Sequence, residues 1–255
     1  MPEPDSANRL KKSSKTRSFP QGDPMAISVL LVANTPEPDR TVAAAARLCY
    51  SDVSAMEIAE EMKGEDVSRF IGHLRRSGHL SPFEHAVFTF AVDGISRVCS
   101  HQLVRHRMAS YSQQSQRYVH MKDPEIVVPP SISSDPAMLD IFNRRVEEAH
   151  RSYREMVDAG VPKEDARYIL PHGWTTRIVI TMNARELHHF FSMRLCRRAQ
   201  WEIRDLARIM LSLVMDKAPA LFAVAGPDCV TKGRCFESKP CGTPFSSVEE
   251  VLSGC

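Results

Sequence analysis

The fourteen residues from Arg105 to Tyr118, RHRMASYSQQSQRY, hold three arginines, one histidine, three serines and three glutamines. Guanidinium forks present fixed donors suited to phosphate or carboxylate oxygens, while serine and glutamine add short hydrogen bonds to a polar ring or a sugar. The strip reads as a ligand-facing turn; the competing reading is an exposed helix end with solvated arginines. Missing motifs narrow the chemistry. The chain has 11 glycines and contains neither the dinucleotide fingerprint nor the P-loop pattern, so a bound nucleotide must be held by side chains and helix ends. It also has no Gly-x-Ser-x-Gly elbow and no HExxH helix, which removes the commonest hydrolase readings. None of the ten histidines has metal-ligand spacing. His188 and His189 are adjacent, hence on different helix faces, and read as packing or surface residues.

Such residues need elements to position them. Residues 1–24 are rich in proline, serine and charge, and ordering them would cost entropy without compensating burial, so a disordered arm is expected. Met25 to Asn34 reads as a first strand and about Thr41 to Tyr50 as a helix. DVSRFIGHLRRSG sets Val67, Phe70, Ile71 and Leu74 at helical spacing and stops at Gly78; HLSPFEH follows as a turn and AVFTFAV as a half-buried strand. A helix from about Ser96 then delivers the arginine strip. Gln102 and Arg105, three apart, share a face of it, and the chain leaves the helix at His106, so the strip is expected to be presented and not buried. Asp135 as cap, Pro136 in the first turn, a ridge of Leu139, Phe142, Val146, Ala149, Tyr153 and Met156, and a terminal Gly160 predict one long helix. A short helix carrying Arg167, the alternating strand TTRIVITMN and two helices, ARELHHFFSMRL and AQWEIRDLARIMLSLVMDKAP, complete the order. Strands and helices mix irregularly, which favours an α+β fold over a βαβ array.

Composition sets outer limits. The 255 residues are 43% hydrophobic with a net charge of +2, enough for one sizeable core and too little charge for a general nucleic-acid binder, so the arginines matter by where they cluster. No apolar run approaches membrane-spanning length and the N-terminal segment lacks a signal-like apolar region, so a cytoplasmic protein with no membrane partner is expected. Seven irregularly spaced cysteines read as reduced thiols. Cys229, Cys235 and Cys241 are evenly spaced, but wider than a zinc knuckle and without a close pair, so no metal is expected.

RHRMASYSQQSQRY resembles the signature of the flavin-dependent thymidylate synthases: Arg-His-Arg, seven residues, then Ser. The resemblance extends in order to GHLSPFEH, DARYILP around Arg167, MNARELHHFFSMRL and AQWEIR, and covers roughly residues 26 to 228. It implies a mainly antiparallel α+β catalytic domain over residues 25–228 that forms a homo-oligomer, a homotetramer by expectation, with residues 229–255 as a tail of unassigned role. It also implies a reaction in which methylenetetrahydrofolate gives its methylene to dUMP and FAD carries hydride from NADPH. By resemblance Gln102, Arg105, Gln113, Ser115, Arg117, Arg167 and Arg194 line the dUMP site, with Ser115 and Arg194 catalytic. His79, Ser81, Arg105, His106, Arg107, Gln113, Asn183 and His189 hold the flavin. Asn183 and Arg194 are eleven residues apart, about three turns, which puts them on one helix face. A fixed charge on Arg194 beside a ring carbonyl would stabilise negative charge developing on uracil. Cys196, two residues on, turns through roughly 200 degrees away from that face, so no cysteine thiolate is expected to attack uracil.

This sequence departs from the family at two positions: Gln113 stands where some members carry glutamate, and Ser81 where threonine is common. The non-enzyme alternative is an arginine-rich nucleic-acid-binding module, with Tyr111 and Tyr118 stacking bases. A further alternative is a nucleotide enzyme without flavin, with His106 as general base.

Overall fold

The computed structural model describes residues 27–61, 65–120 and 125–254; the arm expected over residues 1–24 lies outside them. Four strands form one antiparallel sheet in the order β1-β2-β4-β3: β1 (Ser28–Asn34), β2 (Val87–Ser96), β3 (Ala109–Gln113) and β4 (Thr175–Asn183). Strands β2 and β4 are central and pair over their full length, from Val87 opposite Asn183 to Ser96 opposite Thr175. Their alternation places Phe88, Phe90 and Val92 together with Ile178, Ile180 and Met182 on the buried face, as the period of two requires. The first helices are α1 (Pro38–Leu48), α2 (Ala55–Glu61) and α3 (Glu65–Arg76). Helix α4 (Arg97–Leu103) continues directly from β2, and α8 (Ala184–Arg194) from β4. Helix α9 (Trp201–Met215) packs on α4, α8, β1 and β2, and its Ile203, Leu206, Met210 and Val214 enter the main core. Helix α10 (Pro219–Phe222), α11 (Asp228–Thr231) and α12 (Val248–Ser253) follow. Phe245, Val248 and Val251 also belong to the main core, so the chain returns to the body of the protein after residue 228.

A second, smaller core lies under α5 (Pro130–Ser133), α6 (Pro136–Asp158) and α7 (Lys163–Ala166), where Tyr153, Ala166, Leu170 and Trp174 pack together. Helix α6 has the expected cap, with the Asp135 carboxylate accepting from the Ala137 and Met138 amides, and ends before Gly160 at φ 91°. Of its apolar ridge, Tyr153 becomes fully buried and Leu139, Phe142, Val146, Ala149 and Met156 are half-buried, while Met138 and Ile141, which lie off that ridge, are exposed. The outer face of the sheet is also open: Leu30, Val32, Val87 and Val179 are exposed there. Single exposed apolar residues are ordinary, whereas these four share one sheet face.

Four expectations need correction. The arginine strip is not all turn, because Ala109–Gln113 forms edge strand β3 against β4; its outward positions are Ser110 and Ser112, so the period of two is present in polarity too weak to read as a strand. The strip is not simply presented, since His106 is 4% exposed. Helix α1 begins at Pro38, earlier than Thr41, because proline fits the first turn and Glu37 enters it at φ 43°. The HLSPFEH segment is more ordered than a turn, forming a 3-10 helix over Ser81–His85.

One long-range bond sets the direction of α4. The Glu202 carboxylate in α9 accepts from the Ser96 amide at 2.5 Å and from its hydroxyl at 2.6 Å, while the same hydroxyl caps α4 by accepting from the Cys99 amide at 3.0 Å. Burial pushes the Glu202 carboxyl up, and the Ser96 donors oppose that shift. Removing this carboxylate strands two buried donors. Glu202→Ala is therefore expected to cost about 2–4 kcal/mol, and Glu202→Gln, which keeps one acceptor, less; urea unfolding midpoints measure both, and an unshifted midpoint for the alanine variant would contradict the role.

Candidate functional site

The site grows from the place where α4, the turn after it and α8 meet. At the end of α4 the chain turns through residues 104–108 into β3, and the Tyr111 hydroxyl stands 2.9 and 2.8 Å from the carbonyl oxygens of Leu103 and His106, bracing that turn. His106 is thereby pushed inward against α8. Its Nδ1 lies 3.1 Å from Glu186 Oε1, and its Nε2 accepts from Arg194 Nε at 3.0 Å. A guanidinium only donates, so Nε2 must offer its lone pair and Nδ1 must carry the proton that Glu186 accepts. The imidazole is held neutral in one tautomer. Burial, the Arg194 charge and the nearby His189 lower His106 to about 4, and burial raises Glu186. Arg194 Nη2 also donates to the Gln102 carbonyl at 3.3 Å. Two of its five N–H donors are used in this way, and among the described residues the others remain for a ligand.

His106, Glu186 and His189 bring possible ligand atoms within 4.8 Å of one another. His106 already commits Nε2 to Arg194 and its Nδ1 proton to Glu186, and a guanidinium at 3.0 Å opposes a second cation. The group therefore reads as a proton-ordered relay that positions Arg194, and not as a metal centre.

The expected flavin residues lie along α8 and the turn packed on it. The Ala184 amide donates to the Ala86 carbonyl at 2.7 Å, joining the Ser81–His85 turn to the start of α8. Ser81 and His189 are exposed, and His79 is half-buried with Nδ1 3.1 Å from the Tyr50 hydroxyl. Asn183 is half-buried and is not on the helix itself: it is the α8 cap, its amide oxygen accepting from the Glu186 amide at 2.9 Å. Its backbone there is extended, so the helical spacing that aligned it with Arg194 does not begin at Asn183; the two instead bracket α8 as its cap and its last residue. Arg105 and Arg107 are exposed on the turn. His188, by contrast, packs: it stacks on Phe222 and its Nε2 reaches the Leu221 carbonyl at 2.9 Å.

The remaining residues expected at the nucleotide site form a second group at the end of β3 and beyond it. Ser115 Oγ accepts from the Arg117 amide at 3.2 Å, Arg117 Nε meets Glu164 at 2.8 Å, and Arg167 Nε donates to the Glu164 carbonyl at 3.1 Å. Gln113 bridges inward, its amide donating to the hydroxyls of Ser100 and Thr176 at 3.0 and 3.2 Å. Two like charges run between the groups. Burial and then Arg167 lower Arg97, and burial, His172, Arg97 and Arg105 lower His101; the rings of His101 and His172 are 5.2 Å apart. Arg97, Arg105 and Arg167 thus make one cationic surface, beside the paired rings of His101 and His172, that an anion would relieve.

Sequence reasoning missed Glu186, Tyr111, Arg97, His101 and His172. Asn183 and Glu186 stand at the spacing of a capping box, a signal that turns Glu186 back on the helix start, whereas the structure turns it inward to His106. Arg97 and His101 lie four apart on one helix, a face the sequence showed but nothing in it linked to Arg167.

Known proteins are similar to this chain over most of its length. The family model described as thymidylate synthase complementing protein matches residues 30–220. A flavin-dependent thymidylate synthase of Geobacter sulfurreducens is 50% identical over 213 residues, covering 83% of this chain and 91% of that protein. One from Clostridium tetani is 44% identical over 239 residues, covering 87% and 96%, and one from Thermococcus onnurineus is 44% identical over 221 residues, covering 84% and 90%.

The neutral His106 has a consequence for stability. Its ordinary value of 6.5 applies to the unfolded chain and about 4 to the folded one, so between these limits the unfolded state binds the extra proton. Stability from this group is complete above pH 6.5 and falls as the pH drops towards 4, by up to about 3 kcal/mol. His106→Gln should flatten that part of the profile relative to the parent protein; parallel urea titrations from pH 4 to pH 8 provide the check, and superimposable profiles would contradict it.

Proposed function

The chain belongs to the flavin-dependent thymidylate synthase family, and from that premise we propose that its two groups of side chains together hold dUMP beside FAD. The reaction is the reductive methylation of dUMP to dTMP, with methylenetetrahydrofolate as one-carbon donor and NADPH as reductant. The observation that carries the assignment of roles is the tethering of Arg194 by neutral His106 and the Gln102 carbonyl. A guanidinium fixed on two sides is oriented before the substrate arrives, and its charge stabilises an anionic pyrimidine oxygen without reorganising at the moment of reaction.

The donor set fits FAD. His79, Ser81, Arg107, Asn183 and His189 combine accessible polar groups with one exposed arginine around α8 and its packed turn, and Arg105 adds a second charge, which suits a diphosphate and a polar ring held without a glycine-rich loop. When bound, FAD supplies the hydride relay from NADPH. The protein's own part is to orient and to balance charge. Ser115 offers a hydroxyl near the reacting ring, Arg105, Arg117 and Arg167 take the dUMP phosphate, and Gln102 flanks Arg194. Gln113 is anchored on Ser100 and Thr176, so it acts as a neutral spacer at the position where some relatives place a carboxylate.

The groups around Arg194 and around Arg167 complete each other across subunits of a homotetramer. The open sheet face with Leu30, Val32, Val87 and Val179, and the exposed Met138 and Ile141 of α6, support this assembly, since closed homo-oligomers cover such patches. No helix among the described residues is long and apolar enough to cross a membrane; a cytoplasmic site of action and the absence of nucleic-acid partners are part of the same proposal.

Protein reconstituted with FAD should be yellow and should oxidise NADPH faster when dUMP is present; a colourless, unresponsive protein would sink the assignment. Arg105→Ala or Arg167→Ala should weaken dUMP binding about tenfold or more, because the phosphate loses a charge-assisted partner. Calorimetry reads the affinity. Co-assembly of these two nearly inactive variants should restore part of the activity, and a fully active monomer would exclude shared sites.

A further inference from the structure

Four of the seven cysteines meet around one cavity. Cys196, in the connection after α8, Cys229 in α11, and Cys235 and Cys241 in the irregular segment beyond it all line a space of about 210 Å³ together with Met193, Arg197, Phe236, Glu237 and Phe245. None is disulfide-bonded. Cys229, Cys235 and Cys241, at every sixth position, are spaced more widely than a zinc knuckle, and the fourth thiol comes from a distant part of the chain, 33 residues before Cys229, so that only the fold brings it there.

We propose that these four thiols form a zinc site that staples the C-terminal segment to the end of α8. This does not depend on the catalytic reading, since Arg194 points to His106 and Gln102 while Cys196 faces the tail.

Three observations support the chemistry. The ligand set is four soft sulfurs, the set that selects a tetrahedral zinc ion. The segment from Lys232 to Pro244 has no helix or strand, and every one of its residues is exposed, so it lacks burial to offset its ordering; a metal clip supplies what a small core does not. Its electrostatics also suit a site that carries two net negative charges once four thiolates meet one Zn²⁺. Lys232 and Arg234 sit over the Phe236 ring at 5.2 and 4.3 Å, and Arg197 lies over Phe245 at 4.0 Å. The Cys196 thiol is raised by burial and also by Glu237, Cys241 and Cys229, which puts these groups within electrostatic reach of one another.

The sulfurs stand further apart than a zinc tetrahedron requires: among the described residues no three of the four lie within 4.8 Å of one another, whereas tetrahedral zinc with bonds of about 2.3 Å needs sulfurs about 3.8 Å apart, so binding has to draw the C-terminal segment inward. The cavity gives Cys235 and Cys241 room to close on Cys196 and Cys229. Binding converts four thiols and Zn²⁺ into a tetrathiolate complex and four protons, with no change of oxidation state, so affinity rises with pH.

Full-length protein, reduced, stripped with a chelator and reloaded with Zn²⁺, should retain about one zinc per chain through gel filtration by mass spectrometry of the metal. A mercurial should release it on titrating four thiols, and Co²⁺ in its place should give the strong visible bands of a tetrahedral thiolate complex. Zinc should protect Lys232 and Arg234 from trypsin. Cys229→Ser, Cys235→Ser and Cys241→Ser should each weaken retention about tenfold or more, Cys241→His should keep it, and Cys49→Ser, far along α1, should not change it; circular dichroism verifies that each variant is folded. Folded parent protein holding less than about a tenth of an equivalent after reloading, the four cysteines recovered as disulfides from reduced material, iron with acid-labile sulfide in the site, or equal retention by all three serine variants would each overturn the proposal. Zinc retained by a protein with no dTMP formation would count against the catalytic reading alone.

Discussion

The buried chain from Glu186 through His106 to Arg194 organises the site. Each member fixes the next: the carboxylate accepts from Nδ1, which leaves Nε2 as an acceptor, which in turn orients a guanidinium. A half-satisfied polar network is costly in a low-dielectric interior, so the network specifies a single arrangement of α8 against the turn after α4. The turn cannot shift without stranding a charge, and α8 cannot rotate without losing its cap at Asn183. Precision at Arg194 is thus inherited from packing and not from the arginine itself.

The two central strands explain how that network is placed. Both β2 and β4 run directly into helices, α4 and α8, so their register sets where each helix starts. Ser96 and Asn183 lie at those junctions, each a capping residue whose side chain satisfies the first free amides. Glu202 from α9 then locks one junction from behind. The architecture delivers two helix ends to one point, with Arg194 the last residue of α8 and half-buried, and Arg105 just beyond α4 and exposed.

The same design leaves surfaces that a lone chain does not cover. The outer face of the sheet and Met138 and Ile141 of α6 are apolar where they meet solvent, and a cationic surface runs from Arg97 to Arg167. A charged surface of this kind repels itself and gains from an anion, while apolar surface gains from a subunit. The irregular C-terminal segment poses the same problem locally, with little burial to hold it.

The sequence alone marked the long helices and the central strands, because periodicity, caps and glycine stops are local: Asp135, Pro136 and Gly160 mark α6 without reference to any other element. It also determined the site's chemical character, since the arginine strip carries its donors in consecutive residues. Strand β3 escaped because its polar alternation has no hydrophobic signal, and Glu186 escaped because its local spacing suited a capping box. Tertiary structure decided which His106 nitrogen accepts, that Arg97 and His101 join Arg167, and that Cys196 faces Cys229, Cys235 and Cys241. These are contacts between residues tens of positions apart, and no local pattern encodes them; they exist only once the sheet's register and the core's packing have brought distant segments together.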